Sequence, residues 1–329
     1  MTVEQAPPRE RPWTALTPAR SIPSLPTMTS ISVAGSGRAT SHRWQALVRR
    51  FPLITFFTLA NGISWLAWMP YILSLDGFGV LHFRYPDLVM GNQLTAILPG
   101  AYLGPLAAAF TVTAVTEGRE GLRRWRKRLF QFRAGVLWYA FALFAVPVAV
   151  LLGTLAVTDG EGFRTPSLMV LAVYVPMLVL QFFTTGLAEE PGWRDFALSR
   201  LQQRHQPMIA TFVLGTLWII WHLPLFLTPW GGPDVTPETI VRFAVVAMEM
   251  SFLITLVYNK GRQSLPLVML LHCSINNFQS VAFSEFFPDA GDELLWGPAL
   301  GLGVLSLVVI VVTKGRLGYD SGPSSAAVR

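Results

Sequence analysis

The sequence predicts an all-α, polytopic membrane protein, a bundle of about eight transmembrane helices. Of its 329 residues, 52% are hydrophobic and only 13% are charged, which is about half the charged share of an average soluble domain. The apolar residues are gathered into blocks of roughly 20, the length that a helix needs to cross a bilayer. Composition and block length together exclude a soluble globular fold.

The apolar blocks predict the positions of the individual spans. They lie at approximately residues 51–75, 94–116, 136–157, 166–187, 208–227, 239–258, 265–283 and 294–313. Polar segments without an apolar period flank them. We therefore expect a disordered N-terminal tail over residues 1–42, a transmembrane domain over residues 43–318 and a C-terminal tail over residues 319–329.

Basic and acidic loops alternate along the chain and predict its orientation. The basic loops contain Arg43, Arg49 and Arg50, seven cations within residues 119–133, then Arg200 and Arg204, Lys260 and Arg262, and Lys314 and Arg316. By the positive-inside rule, both termini lie in the cytoplasm, and the plasma membrane is the expected location. The net charge of +6 fits contact with the lipid bilayer, and no nucleic-acid partner is expected.

Ionisable side chains inside the apolar blocks cost about a few kcal/mol each, so each needs a partner or a function. Glu190 and Arg194 are four residues apart and can pair on one helix face, whereas Glu189 points about 100° away. His272 and Asn276 have the same spacing and share a face. The sequence contains three such clusters and the isolated Glu249: Glu189-Glu190-Pro191-Gly192-Trp193-Arg194, Trp218-Ile219-Ile220-Trp221-His222 and His272-Cys273-Ser274-Ile275-Asn276.

Two features of the first cluster predict that its helix is interrupted near Pro191 and extends beyond its apolar span. Pro191 lacks a backbone N–H, so we expect a kink or a new helix start beside the two acids. Glu189 lies near the cytoplasmic end of its predicted span, but His222 lies roughly 20 Å along the next helix. The clusters meet only if the fourth helix extends past Arg194, or if the fifth begins deeper or tilts. We predict that the fourth helix continues to about Leu201.

The three clusters resemble the motifs of the CAAX prenyl protease 2 and bacteriocin-processing (CPBP, or Abi) family of intramembrane proteases. The family pattern is two Glu, three residues and Arg; then Phe, three residues and His; then His, three residues and Asn or Asp. Residues 166–284 carry the resemblance, and Trp218 stands where the family usually has Phe. The matching residues are Glu189-Glu190 with Arg194, Trp218 with His222, and His272 with Asn276.

The resemblance implies an intramembrane endopeptidase that hydrolyses peptide bonds of membrane-tethered peptides or proteins. The substrate is expected to enter from the bilayer or from the cytoplasmic face, and prenylated tails are what the eukaryotic branch implies. In that reaction Glu189 is the general base on a water, helped by His222. His272 and Asn276 hold the oxyanion of the tetrahedral intermediate.

A metal-dependent version of the reaction uses the same atoms. Glu189, His222 and His272 form a familiar set of zinc ligands with a fourth position open for water. No His-Glu-x-x-His helix is present, so these ligands would have to converge from three helices. We favour the metal-free version with no cofactor, although the sequence supports both.

Each cluster also has a purely structural interpretation. Glu190 with Arg194 is mainly a helix-stabilising pair that braces the motif helix. His222 alone is typical of an interfacial aromatic belt. His272 with Asn276 alone is typical of hydrogen bonding between helices. Only the joint presence of the clusters favours catalysis.

Two other functions are compatible with the motifs. A non-enzymatic membrane scaffold or a bacteriocin-immunity protein would keep them for packing or binding. A transporter would place Glu249 and Glu189 in an ion path, but no inverted repeats support one. Three other roles are open to Glu249: a buried partner for Arg194, a substrate-pocket residue, or a protonated group in the core. We expect the structural pairing.

Overall fold

The computed structural model describes residues 36–288 and 296–320. Most of this part of the chain folds into helices. A short β-strand, Val89–Asn92, and a helical turn, Gln93–Ala96, precede α3. The helices are α1 (Ser36–Arg50), α2 (Pro52–Leu73), α3 (Leu98–Leu129), α4 (Val136–Val157), α5 (Leu168–Gln202), α6 (Pro207–Leu227), α7 (Pro237–Lys260), α8 (Leu265–Asn277) and α9 (Gly297–Val312).

The predicted all-α, polytopic fold is confirmed. Within the described residues, six helices, α2 to α7, are long and apolar enough to cross a membrane by length and composition. Helix α8 continues through Phe278–Ala282 to Phe283–Phe286, and α9 is a shorter apolar helix. These two occupy the positions of the seventh and eighth predicted spans.

Helix starts are encoded by prolines and by capping side chains. Helices α2, α6 and α7 each have Pro in the first turn, where the missing N–H would have no partner in any case. Thr236 and Thr239 form a reciprocal capping box at the start of α7. The Ser264 hydroxyl accepts a hydrogen bond from the N–H of Leu267 at the start of α8. The sequence thus defines where each of these helices begins.

Helix α5 carries the first motif and extends well past its predicted span. It reaches Gln202, which confirms the prediction that the motif helix continues to about Leu201. The chain does not start a new helix at Pro191; it continues through a π-helical segment, Pro191–Leu198. Such wider turns accommodate a missing backbone donor and are frequent at functional sites. The whole segment from Glu189 to Leu198 is buried.

Helix α3 also runs beyond its predicted end, but with a kink. Gly118 has φ 62° and ψ −148°, a backbone conformation that glycine adopts at little cost. The basic residues of the loop predicted over 119–133 therefore begin on a helical segment after this kink. Arg49 donates a hydrogen bond of 3.1 Å to the carbonyl of Val115, so α1 contacts α3 just before the kink.

Helices α4 and α9 pack closely through glycines. A Cβ atom at Gly301 would collide with the carbonyl oxygen of Ala149, and one at Gly153 would collide with the backbone of Gly297. Small residues of this kind let two transmembrane backbones approach closely.

The predicted tails lie mostly outside the described residues. Helix α1 begins at Ser36, within the range assigned to the N-terminal tail, and the preceding residues of that tail are not among those described. Of the C-terminal tail, only Tyr319 and Asp320 are described.

Candidate active site

The predicted catalytic residues line one cavity. Its volume is about 460 Å³, and residues of α3, α5, α6, α7 and α8 form its walls. Glu189, His222, His272 and Asn276 all contribute to the lining. Helices that are distant in sequence therefore bring these side chains together, and the extended α5 removes the difference in depth expected from the predicted spans.

Glu189 is held by an indole that the sequence motif does not require. Its carboxylate is buried, with 5% of the residue exposed. The Nε1–H of Trp218 donates a hydrogen bond of 2.7 Å to Oε2 of Glu189. The guanidinium of Arg194 lies 4.7 Å from the centre of the Trp218 ring, a distance at which a cation is attracted to the ring face. Trp218 therefore contacts two of the three charged members of the first motif.

Glu190 links α5 to α8. Its Oε1 lies 2.7 Å from Nδ1 of His272, and its Oε2 lies 3.4 Å from Nε of Arg194. The second contact is the predicted ion pair, and the first was not predicted. An ionised carboxylate can only accept, so Nδ1 of His272 carries the proton. Glu190 thereby orients the His272 ring and leaves Nε2 as its other nitrogen.

His222 is fixed by its own helix and by a surrounding group of aromatic rings. Its Nδ1 lies 2.8 Å from the carbonyl oxygen of Trp218. A carbonyl cannot donate, so Nδ1 is the donor and Nε2 of the neutral ring has a free lone pair. The imidazole stacks on Trp230, with ring centroids 5.5 Å apart, and contacts the edges of Trp221 and Phe243. His222 is therefore a cavity residue rather than a member of an interfacial belt.

A polar network that sequence reasoning missed lies beside Asn276 at the edge of the cavity. Gln181 donates hydrogen bonds to Asn277, at 3.3 Å, and to Ser280, at 3.1 Å. Asn277 in turn donates to the carbonyl of Tyr174 at 3.0 Å. Gln181 and Ser280 both line the cavity. Spacing could have found Ser280, because it follows Asn276 by four residues on the same helix face.

The candidate metal ligands share the cavity without forming a metal-binding group. Glu189, His222 and His272 all line it. In the part of the chain that the structure describes, no group of three or more His, Cys, Asp or Glu side chains could hold a metal ion.

Glu249 does not take part in the site, and its expected pairing with Arg194 is wrong. Among the described residues, the ion pair of Arg194 is with Glu190. Oε2 of Glu249 is buried with no hydrogen-bond partner. The carboxylate instead faces α9, because a Cβ atom at Gly303 would lie 2.8 Å from its Oε1. The reason is rotational: Glu249 lies on the face of α7 that packs against α9, away from α5.

Comparison with known proteins finds similarity to CAAX prenyl endopeptidases. Residues 171–278 match the model of the family described as type II CAAX prenyl endopeptidase Rce1-like. This range contains every predicted catalytic residue. The chain is also 25% identical over 223 residues to the CAAX prenyl protease 2 of Methanococcus maripaludis, an alignment that covers 63% of this chain and 78% of that protein.

Both similarities support the resemblance of this chain to the CPBP intramembrane proteases. The chain is an integral membrane protein, and its similarity to CAAX prenyl endopeptidases indicates an intramembrane endopeptidase. Relative to the usual family motif, its one departure is Trp218 in place of Phe, and this indole N–H is the group that contacts Glu189.

Proposed function

We propose that this protein hydrolyses peptide bonds with a water activated by Glu189. The carboxylate of Glu189 takes a proton from the water as its oxygen attacks the scissile carbonyl carbon. The lone pair on Nε2 of His222 accepts a second hydrogen bond from the same water and orients it. The protonated Glu189 then delivers its proton to the departing amine nitrogen, which completes the cleavage.

His272 and Asn276 stabilise the negative oxygen that forms during the attack. Asn276 offers its amide N–H, and it makes no side-chain hydrogen bond within the described residues that would compete. His272, whose ring is oriented by Glu190 at 2.7 Å from Nδ1, donates from Nε2 in its protonated form. Donors aimed at a developing oxyanion in a desolvated site commonly contribute factors of about 100 to 1,000 in rate.

The observation that carries this proposal is the convergence of Glu189, His222, His272 and Asn276 on one cavity. They come from α5, α6 and α8, so a shared helix face cannot account for it. If each motif served only to pack its own helix, the four side chains would not be expected to line one cavity. No step of the proposed reaction requires a metal.

The proposed substrate is a membrane-tethered peptide or protein, and the proposed location is the plasma membrane with both termini in the cytoplasm. The cavity walls suit an apolar peptide, because Leu98, Leu225 and Phe243 lie beside amide and hydroxyl side chains that can bind a peptide backbone. The alternation of basic and acidic loops supports the orientation.

The test is cleavage of a lipid-anchored fluorogenic peptide by the purified protein in detergent micelles, where both faces are accessible. Glu189→Gln removes the base but keeps the shape, and we expect a loss of about 100- to 10,000-fold in kcat. Glu249→Gln is the matched control, since it neutralises another buried glutamate outside the cavity, and its kcat should be unchanged. Full activity in Glu189→Gln would overturn the proposal.

A further inference from the structure

The two ends of the helix bundle carry opposite charge, and contacts between loops define each end. At one end, Arg128 pairs with Asp195 at 2.7 Å, and Asn259 donates to the carbonyl of Leu317 at 2.9 Å. Lys260 reaches Asp320 at the same end. These contacts bring together the ends of α3, α5, α7 and α9. We call this end, with the loops that carry Arg49, residues 119–133, Arg200, Lys260 and Lys314, the basic end.

The opposite end is formed by the other set of loops. Trp296, just before α9, donates a hydrogen bond of 2.7 Å to Glu238 at the start of α7. The backbone N–H of Arg164, just before α5, donates to the carbonyl of Phe286 after α8 at 2.8 Å. Tyr71 at the end of α2 bonds Asn92 just before α3 at 2.7 Å. We call this the acidic end, because its loops hold Asp76, Asp87, Asp159, Glu161, Asp234 and Glu238.

The catalytic cavity extends from the predicted catalytic residues toward the acidic end. Along α8 the lining continues from His272 to Ser280, which is exposed. In α6 it continues from His222 to Leu225, and then to Trp230 in the loop that follows. Both helices run toward the acidic end. On α3 and α5, which run the other way, the lining lies before Glu189, at Gln181 and Thr185 for example.

A layer of buried side chains separates the cavity from the basic end. On the basic side of Glu189, Trp193, Arg194 and Phe196 of α5 are at most 1% exposed, and Leu265 and Val268 at the start of α8 are fully buried. Beyond this layer lies a second cavity of about 360 Å³, lined by Glu117, Arg128, Asp195 and Arg200 among others. It shares no lining residue with the catalytic cavity.

A groove at the acidic end widens the mouth of the catalytic cavity. It is lined by Trp230, Phe243 and Gln279, which also line the catalytic cavity, and it reaches Pro298 at the start of α9. No Lys or Arg lines the catalytic cavity, and the groove adds one cation, Arg242. The path from the acidic end to Glu189 is therefore apolar and aromatic, with amides and hydroxyls at intervals.

The direction in which the cavity opens conflicts with the expectation that the substrate can enter from the cytoplasmic face. The Arg-rich loops lie at the basic end, which the positive-inside rule assigns to the cytoplasm. A cavity that opens at the acidic end cannot then receive a substrate from the cytoplasmic face.

We propose that the catalytic cavity opens at the non-cytoplasmic face of the membrane. The substrate class is then a bilayer-tethered peptide with an apolar, extended segment presented on that side, in place of a cytoplasmic prenylated tail. This inference rests on the proposed function only for the substrate; the direction of opening is independent of catalysis.

Cysteine accessibility tests the direction of opening. Cys273 is the only cysteine, and Cys273→Ser keeps its donor to the carbonyl of Gln181. In that background, Ser280→Cys reports on the cavity, Asp234→Cys on the acidic end and Lys127→Cys on the basic end. Right-side-out spheroplasts are treated with a membrane-impermeant maleimide before and after lysis.

We expect Ser280→Cys and Asp234→Cys to be labelled before lysis and Lys127→Cys only after it. Labelling of Asp234→Cys only after lysis would overturn the proposed orientation. If Ser280→Cys is labelled only after lysis while Asp234→Cys is labelled before it, the proposed opening is overturned. If a label at Ser280→Cys distorts the site, Leu225→Cys gives a second report from α6.

A second measurement separates the opening from the activity. A lipid-anchored fluorogenic peptide is added to right-side-out spheroplasts and to inverted vesicles. We expect cleavage in the spheroplasts and its loss in the inverted vesicles, and the reverse pattern would overturn the proposal. No cleavage in either, with Ser280→Cys labelled before lysis, would contradict the proposed function and uphold the opening.

Discussion

The indole Nε1–H of Trp218 donates a hydrogen bond of 2.7 Å to Oε2 of Glu189. The two residues are 29 positions apart and lie on neighbouring helices, α6 and α5. One carboxylate oxygen is thereby held in place, and the other is left for a water. A phenylalanine, the usual residue of the family motif at this position, could not make this bond.

Trp218→Phe should therefore lower kcat without unfolding the protein. A hydrogen bond to a charged group contributes about 1.5–3 kcal/mol, so we expect a loss of about 10- to 100-fold in kcat with a smaller change in KM. Trp68→Phe is the matched control, because Trp68 is equally buried and its indole donates to the carbonyl of Ile97 instead. Equal kcat in the two variants would contradict a positioning role for Trp218.

Glu190 serves both stability and activity, and the two can be separated. Removing one partner of a buried ion pair typically costs about 3–5 kcal/mol, because the other charge is left unpaired. Glu190→Gln should accordingly lower the melting temperature in detergent and also lower kcat. The double variant Glu190→Gln, Arg194→Gln should recover the melting temperature, because no buried charge is left unpaired. It should not recover the activity, because the carboxylate of Glu190 that lies 2.7 Å from His272 is still missing. Recovery of both would reduce Glu190 to a purely structural residue.

Glu249 should be dispensable for catalysis and unfavourable for stability. Its Oε2 is buried without a hydrogen-bond partner among residues 36–288 and 296–320, and an unsatisfied buried polar group costs about 1–3 kcal/mol. Glu249→Met should therefore raise the melting temperature and leave peptide cleavage unchanged. A large loss of peptide cleavage in this variant would instead assign Glu249 to the substrate pocket.

The glycine contact between α4 and α9 should be intolerant of any side chain. A Cβ atom at Gly301 would meet the carbonyl oxygen of Ala149, so Gly301→Ala must push the helices apart. Overpacking of this kind commonly costs about 1–3 kcal/mol, and a lower melting temperature is expected. Gly62→Ala is the control, because nothing lies within 4 Å of a Cβ atom there. Equal stability of the two variants would contradict the close approach of the helices.

Chelators should leave the proposed reaction unaffected. Every step of the proposed reaction is carried by the side chains of Glu189, His222, His272 and Asn276. Peptide cleavage in micelles should therefore proceed at an unchanged rate in 1,10-phenanthroline, while a known zinc protease in the same assay is inhibited. Inhibition that is reversed by added Zn²⁺ would contradict the metal-free mechanism.

The amino-acid sequence alone predicted the helical fold, the span positions and the motif residues. Hydropathy is a local property, because a segment such as residues 136–157 must bury its backbone and apolar side chains in lipid wherever it lies. The spacing of Glu190 and Arg194 is equally local, since residues four apart share a helix face. Even the length of α5 could be predicted, because the motifs could otherwise not meet.

Tertiary structure alone decided which side chains touch and where the cavity opens. The bond from Trp218 to Glu189 and the contact of Glu190 with His272 join residues 29 and 82 positions apart. Their partners depend on how helices rotate and pack, which no local pattern specifies. For the same reason Glu249 was assigned to Arg194, although it faces α9. The charge of the loops predicts which end of the bundle faces the cytoplasm, but only the packed helices place the catalytic cavity toward the other end.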